Sequence, residues 1–445
     1  MSSNEQRPRV VIIGCGFGGL EAARALRHAA VDVTLVERTN HHLFQPLLYQ
    51  VATAGLSAPA IAAPVRHLFR KQPNVTTLLG QVTAIDVPAR RVRLGDGLEI
   101  GYDHLVVAAG STHSYFGHDD WAPLAPGLKT LDDAFEIRRR ILLAFEEAEK
   151  EADPARRDAW LTFTVIGGGP TGVEMAGTLA EIAHHTLSGE FRRIDPASSK
   201  ILLIEGSARV LQAMPEDLSQ RAHDQLTKLG VEVRLNSKTT AIDGDGLEVQ
   251  GASGSYRIPS RCVIWAAGVA ASPLGAQLAR ATGAPADRSG RVQVEPDLSL
   301  AGHPDISVVG DLASAKSYLD GHEARPVPGV SPAAKQMGRA AAVNILRRLA
   351  GEPTLQFHYR DYGNLATIGR NAAVVDLVSP LGHFKFSGYF AWLFWLFAHI
   401  YFLIGFRNRM VVLLDWAGAY WSKQRYARVV TGIDAPVRQP EELKP

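Results

Sequence analysis

RVVIIGCGFGGLEAARAL, residues 9–26, decides how the whole chain is read. It opens with an apolar, β-branched run from Val10 to Ile13, the composition of a strand buried on both faces of a parallel sheet. Gly14, Gly16 and Gly19 then supply G-x-G-x-x-G, and the Ala and Leu residues after them recur at helical spacing. Working outward, VDVTLVE (31–37) reads as the next strand and ends in Glu37.

The same unit occurs a second time. FTVIGGGPTGVEMAGTLAEIA (163–183) carries Gly167, Gly169 and Gly172, and KILLIEG (200–206) brings Glu205 to a strand end. Each copy has a similar closing strand, YDHLVVAAGS (102–111) with Ala109 and Gly110, and SRCVIWAAGV (260–269) with Ala267 and Gly268. A lone glycine motif would be weak, because a tight turn in any α/β protein can produce it. Here each copy joins strand, glycine turn, helix and a terminal acid. Glycines let the backbone approach a pyrophosphate, the helix N-terminus stabilises its charge, and the carboxylate accepts hydrogen bonds from ribose hydroxyls. Two dinucleotide sites are therefore expected. In an enzyme with one flavin and one nicotinamide the natural assignment is non-covalent FAD in the first site and NADH in the second. PDISVVGDLAS (304–314) adds a late strand whose Asp311 can bond the flavin ribityl or pyrophosphate. Glu205 would repel the 2′-phosphate of NADPH, so NADH is the expected donor, with Arg209 softening the preference.

Composition narrows the class. The chain has 445 residues, 46% of them apolar and 21% charged, which excludes a disordered chain, a collagen-like fibre and a multi-span membrane protein. Its 47 Lys and Arg against 45 Asp and Glu build no basic field, so no nucleic-acid partner is expected. Two cysteines, Cys15 and Cys262, form no CxxC and read as structural, which disfavours a disulfide or sulfide reductase. His41, His42, His184 and His185 lack partners at ligand spacing, so they read as loop and helix-surface residues and no metal is expected. MSSNEQRPR at the start has neither a secretory nor a transit pattern.

GYFAWLFWLFAHIYFLIGF (388–406) carries no formal charge and is flanked by Lys385, Arg407 and Arg409. As one helix its 19 residues would measure about 29 Å, close to a ~30 Å hydrocarbon core. Its aromatic content, His399, the second apolar stretch MVVLLDWAGAYW (410–421) and the basic Lys423, Arg425 and Arg428 favour instead a helix pair lying in the interface. A single span is the alternative.

Three further stretches carry a family resemblance: HHLFQPLLYQVATAGLS (41–57), VPGVSPAAKQMGRAAAVNI (327–345) and FHYRDYGNLATIGRNAAVVDL (357–377). With the paired glycine motifs, the apolar segment and GFRNRMVVLLDW (405–416), the chain resembles the type II NADH dehydrogenases from about residue 8 to about residue 433. That resemblance implies a single-subunit enzyme passing hydride from NADH to FAD and two electrons to a membrane quinone, without proton pumping. It implies an α/β fold of two Rossmann-like domains. The FAD domain (8–120 and 291–350) would be split by an inserted NADH domain (121–290), with an apolar helical membrane-anchoring region at 351–435. It also implies peripheral, monotopic attachment to the cytoplasmic face of the cell membrane, with lipid as a partner surface; a homodimer is left open.

The family pattern places FAD over Gly14, Gly16, Phe17, Gly18 and Gly19, with Glu37 and Arg38 at the adenosine end. Gln45, Pro46 and Leu47 would flank the isoalloxazine, Ala109, Gly110 and Asp311 would complete the site, and Lys335 and Gln336 would start a helix against the flavin. NADH would lie over Gly167, Gly169, Pro170, Thr171, Gly172, Glu205, Ala267 and Gly268, with Glu174 in the first helical turn pointing toward the flavin. Glu174, Lys335 and Gln336 are the catalytic candidates. One departure stands out: Pro332 occupies the position of the first Gln of the family's Ala-Gln pair, and Gln336 keeps the second. The competing reading is a related soluble FAD-dependent NAD(P)H reductase of a protein or small-molecule acceptor, which would have no use for residues 388–406. A non-enzymatic NADH-sensing or membrane scaffold would not need both complete nucleotide sites.

Overall fold

The computed structural model describes residues 7–319, 323–379, 381–422 and 424–431. Lys423 and the end of the 351–435 region lie outside the described residues. The chain forms two compact units, each assembled from three stretches.

The first unit comprises the chain through Leu43, Ala62–Thr112 and Val269–Asp361. Arg9–Ile13 lies near the middle of a six-stranded sheet whose order is Ser299–Leu300, His303–Val308, His104–Val107, Arg9–Ile13, Asp32–Glu37 and Val75–Leu79. All neighbours pair in parallel except the first two, which are antiparallel. Parallel pairing flanks the strand on both edges, with Val11 opposite Thr34 and Leu105, and Val10 to Ile13 are almost wholly buried, as expected of a strand in a covered parallel sheet. Removing side chains of this size from water contributes roughly 1.5–3 kcal/mol each. The helix Phe17–Ala25 follows the glycine turn and packs on the helix Ser331–Leu349. Their backbones meet where Gly338 faces the carbonyl of Gly18, a spot a Cβ would overlap.

The second unit comprises Phe44–Ile61, His113–Gly268 and the chain from Tyr362 onward. It repeats the first unit's plan with a four-stranded parallel sheet in the order Val231–Arg234, Lys200–Ile204, Thr162–Ile166 and Cys262–Trp265. The helix Pro170–Glu181 leaves the second glycine turn and lies against the antiparallel sheet Gly363–Gly369, Ala372–Ser379 and Gly382–Ser387. Gly177 permits this, since a Cβ there would overlap the Ile368 carbonyl.

The apolar C-terminal segment differs from the single helix its hydropathy suggests. Tyr389–Phe402 is a helix of 14 residues, about 21 Å at ~1.5 Å per residue, and a break at 403–405 precedes the helix Phe406–Ser422. Gly405, with φ +88°, turns the chain between them. Arg407 and Arg409 therefore lie inside the second helix, not in a link before it. No helix among the described residues is long and apolar enough to cross a membrane, which removes the single-span alternative for them.

Candidate functional site

The two glycine turns repeat each other bond for bond. Gly14 N–H donates to Val36 O at 2.8 Å, and Gly167 N–H donates to Ile204 O at the same distance. Ala108 N–H donates to Ile13 O at 2.8 Å, as Ala266 N–H does to Ile166 O at 2.7 Å. Gly14 (φ +94°) and Gly167 (φ +109°) hold a backbone conformation L side chains rarely adopt, and each lies against the closing strand's AAG segment. At Gly19 and Gly172 a Cβ would overlap the first glycine's carbonyl. At Gly16 and Gly169 nothing lies within 4 Å of a Cβ, so the backbone there faces open space. These two glycines are also the N-caps of their helices, and no side chain caps either one. Each turn thus presents uncapped N–H groups at the positive end of a helix to an open face, the arrangement that receives a pyrophosphate.

The acids repeat as well. Glu37 accepts from Cys15 N–H at 2.5 Å and Thr39 N–H at 3.1 Å; Glu205 accepts from Gly168 N–H at 2.5 Å and Ser207 N–H at 2.8 Å. Each carboxylate is held by the residue after the first glycine and by its own i+2 amide. A carboxylate has about four acceptor sites, so both retain capacity for ribose hydroxyls. Arg38 is exposed beyond Glu37. Arg209 is turned onto its own loop, donating to Met214 O and Gln212 O.

In the first unit, Ser111 Oγ donates to Asp311 at 2.8 Å, fixing this acid in the one-turn helix Gly310–Leu312 beside Ala109 and Gly110. Lys335 lies near the start of Ser331–Leu349 with Nζ 5.1 Å from the Phe17 ring centroid, and burial lowers its pKa. Gln336 is committed locally: its amide nitrogen donates to Arg360 O and its oxygen accepts from Arg360 N–H, both at 2.9 Å. His42 overturns the surface reading given to the histidines. It is 1% exposed, its Nδ1 meets Cys15 O at 2.7 Å, its ring stands edge-on to Phe17, and burial lowers its pKa to about 4. Its Nε2 is buried without a partner, a polar atom left for a group that the loop itself does not supply. Alternation along the strand His41–Leu43 is the signal that could have found it, since only the middle residue points inward. Cys15 and Cys262 are buried free thiols, both pushed upward by burial, Cys262 to about 12. A reactive thiolate pair is absent from these positions. A cleft of about 520 Å³, lined in part by Arg90, His104 and Arg348, sits at the N-terminal ends of the sheet strands, opposite the glycine turn.

In the second unit, Pro170 opens the helix and Thr171 and Gly172 complete its first turn. Glu174 is the fifth residue, one turn further in than expected, and is 8% exposed. Burial raises its pKa well above the ordinary carboxylate range, partly offset by a hydrogen bond from Thr367 N–H. Gln45 is exposed in the short 3₁₀ turn Gln45–Leu47 and donates to Lys129 O. Sequence reasoning missed Tyr49, which is buried and raised in pKa first by desolvation and then by the neighbouring Glu174.

Residues 8–338 match the pyridine nucleotide-disulphide oxidoreductase family, and residues 362–421 match the NDH2 C-terminal domain. The type II NADH:quinone oxidoreductase Ndh of Mycobacterium tuberculosis is 47% identical over 97% of this chain and 92% of its own length. The chain belongs to the type II NADH:quinone oxidoreductases. A more distant member, from Staphylococcus aureus, is 28% identical over 83% of this chain and 90% of its own. The fold extends further: the structure of NDH2 from Plasmodium falciparum in complex with NADH matches with a TM-score of 0.83, covering 96% of this chain and all of that one at 20% identity. The sulfide:quinone oxidoreductase of Aquifex aeolicus shares the fold at a TM-score of 0.70 and 19% identity. For this type II oxidoreductase the first matched region contains every candidate site residue and ends within the helix Ser331–Leu349, while the second begins at the sheet that packs on the helix carrying Glu174.

Proposed function

We propose that this chain oxidises NADH and reduces a membrane quinone through non-covalently bound FAD, without pumping protons. The observation that carries this reading is the duplicated glycine-turn and carboxylate frame within a chain 47% identical to a named type II NADH:quinone oxidoreductase. FAD when bound supplies the chemistry, accepting hydride and releasing two electrons to the acceptor. The chain's own residues bind and orient.

Gly14, Gly16, Phe17, Gly18 and Gly19 would receive the flavin nucleotide's pyrophosphate, with Glu37 and Arg38 at the ribose and Asp311, Ala109 and Gly110 closing the site. His42 Nε2 and the uncapped helix N-terminus fit such a group. Gln45 and Lys335 are assigned to the flavin ring, and Gln336 to holding the 360 backbone that borders it. Gly167, Gly169, Pro170, Thr171, Gly172, Ala267 and Gly268 would hold NADH, with Glu205 on its ribose. Glu174, whose proton affinity burial raises, is assigned to orienting the nicotinamide and holding a proton. On this reading 8–120 with 291–350 is the FAD domain and 121–290 the NADH domain.

The C-terminal helices support membrane attachment, in the plane of the cytoplasmic leaflet. Phe390 (76% exposed), Phe406 (78%) and Trp421 (80%) offer apolar surface that water disfavours and an interface accepts. A homodimer is compatible with the reading. The purified flavoprotein should oxidise NADH with a menaquinone or ubiquinone analogue; an enzyme that turns over only with ferredoxin-like or soluble small-molecule acceptors would favour the soluble-reductase reading.

A further inference from the structure

Glu174 and Glu181 sit seven residues apart on the helix Pro170–Glu181, two turns and therefore the same face. Both are tied to one antiparallel sheet: Glu174 accepts from Thr367 N–H, and Glu181 Oε1 accepts from Arg370 N–H. Glu181 Oε2 is taken by Arg425 Nη2 at 3.0 Å, with both side chains mostly buried. Arg425 belongs to the strap that follows the helix Phe406–Ser422, so a residue beyond the apolar helices reaches back into the interior of the unit. Its other arm donates to Thr53 O at 3.3 Å and Thr53 Oγ1 at 3.4 Å. Thr53 caps the short helix Leu48–Ala52, which carries Tyr49.

A second connection runs beside the first. Trp416 Nε1, on the helix Phe406–Ser422, donates to Gln50 Oε1 at 2.7 Å, and Gln50 Nε2 donates to the Tyr49 hydroxyl at 2.9 Å. Tyr49 thereby accepts a bond and keeps its own O–H to donate elsewhere. The strap is held further along by Arg138 Nη1 on Ala427 O and by Arg428 on Glu190. Arg370 reaches the same helix end, with its guanidinium over the Tyr420 ring and donating to the Ala419 carbonyl.

We propose that Arg425 is a positioning residue that couples the seating of the C-terminal apolar helices to the Glu174–Tyr49 pair. Tyr49 is faced by Glu174 and Glu181 from the helix Pro170–Glu181, by Arg425 from the strap and by Gln50 from its own helix, and Glu174 is bonded by Thr367 N–H from the sheet. Arg425 is the cation among them, and it neutralises Glu181. Withdrawing Arg425 leaves Glu181 as an uncompensated buried anion, which raises the proton affinity of Tyr49 and, through it, of the pair. Turnover steps that need a proton from this pair then move to higher pH, while FAD binding in the other unit has no reason to change.

The inference rests on the proposed role of Glu174 in turnover, which the quinone turnover of Glu174→Gln, with Arg425 intact, tests separately. The experiment uses full-length FAD-loaded enzyme on liposomes and measures the pH profile of quinone turnover and the rate of flavin reduction. Arg425→Met should shift the alkaline limb upward by about one pH unit. Arg425→Lys should restore it, and the double variant Glu181→Gln with Arg425→Met should return it toward wild type, because both partners of the buried pair are then gone. Should the single variant fail to fold, Glu181→Gln alone decides the matter: it leaves Arg425 as the uncompensated charge and should shift the limb downward, and an unmoved limb there would overturn the proposal. An unmoved limb in Arg425→Met, or a displaced limb that the double variant does not correct, would overturn the proposal.

Discussion

Glu205 touches its own loop through Gly168 and Ser207 amides, and the same atoms would meet an adenosine ribose. Glu205→Gln keeps an oxygen for Gly168 N–H and removes the charge that repels a 2′-phosphate. The kcat/KM ratio of NADPH to NADH should rise on the order of tenfold, a change of about 1.4 kcal/mol; an unchanged ratio would mean that Glu205 does not contact the ribose. His42 yields a pH prediction with a definite sign. Burial lowers its pKa from 6.5 to about 4, so the unfolded chain binds a proton that the folded one refuses. Stability is therefore withdrawn as pH falls from about 6.5 toward about 4, by up to about 1.4 kcal/mol per pH unit. His42→Gln should flatten this decline in urea titrations at successive pH values and should also weaken FAD retention, since Nε2 is the unpartnered atom at the loop. Equal acid sensitivity and full flavin content in the variant would return His42 to a packing role.

Among the elements, the parallel strands and glycine turns were legible because local pattern dictates them. An apolar run, three glycines at set spacing and a terminal acid leave little freedom, and both copies repeat to within 0.1 Å in their paired backbone bonds. The C-terminal helices were less legible. Hydropathy reports that 388–406 is apolar but not that Gly405 turns the chain, nor that His399 stacks on Trp395 at 4.0 Å and donates from Nδ1 to its carbonyl. The Arg425–Glu181 pair spans 244 positions, and no periodicity encodes a contact of that range. Helix packing gives a direct test. A methyl at Gly338 would overlap the Gly18 carbonyl, so Gly338→Ala should destabilise the protein by about 1–3 kcal/mol. Because Gly18 belongs to the first glycine turn, FAD should be lost at a lower temperature as well. Thermal unfolding followed by flavin fluorescence checks both; a wild-type midpoint would show that the two helices part without consequence.

At the scale of the whole molecule, a doubled nucleotide-binding plan is joined in one chain to an apolar helix pair. Removing everything after Ser379 would test attachment poorly, since it takes away the strand Gly382–Ser387 and Arg425 together with the helices. Phe390→Glu with Phe397→Glu and Trp421→Glu leaves those contacts in place and charges side chains that are 67–80% exposed. Binding to anionic liposomes should fall at least tenfold in a flotation assay, with reduction of the flavin by NADH unaffected; undiminished flotation would place the anchor elsewhere. The most direct test of the central claim is an anaerobic two-step stopped-flow experiment on the purified flavoprotein. NADH should bleach the flavin absorbance in the first step, and one equivalent of a quinone should restore it in the second. A flavin that NADH leaves oxidised, or a bleached flavin that quinone cannot reoxidise, would contradict it.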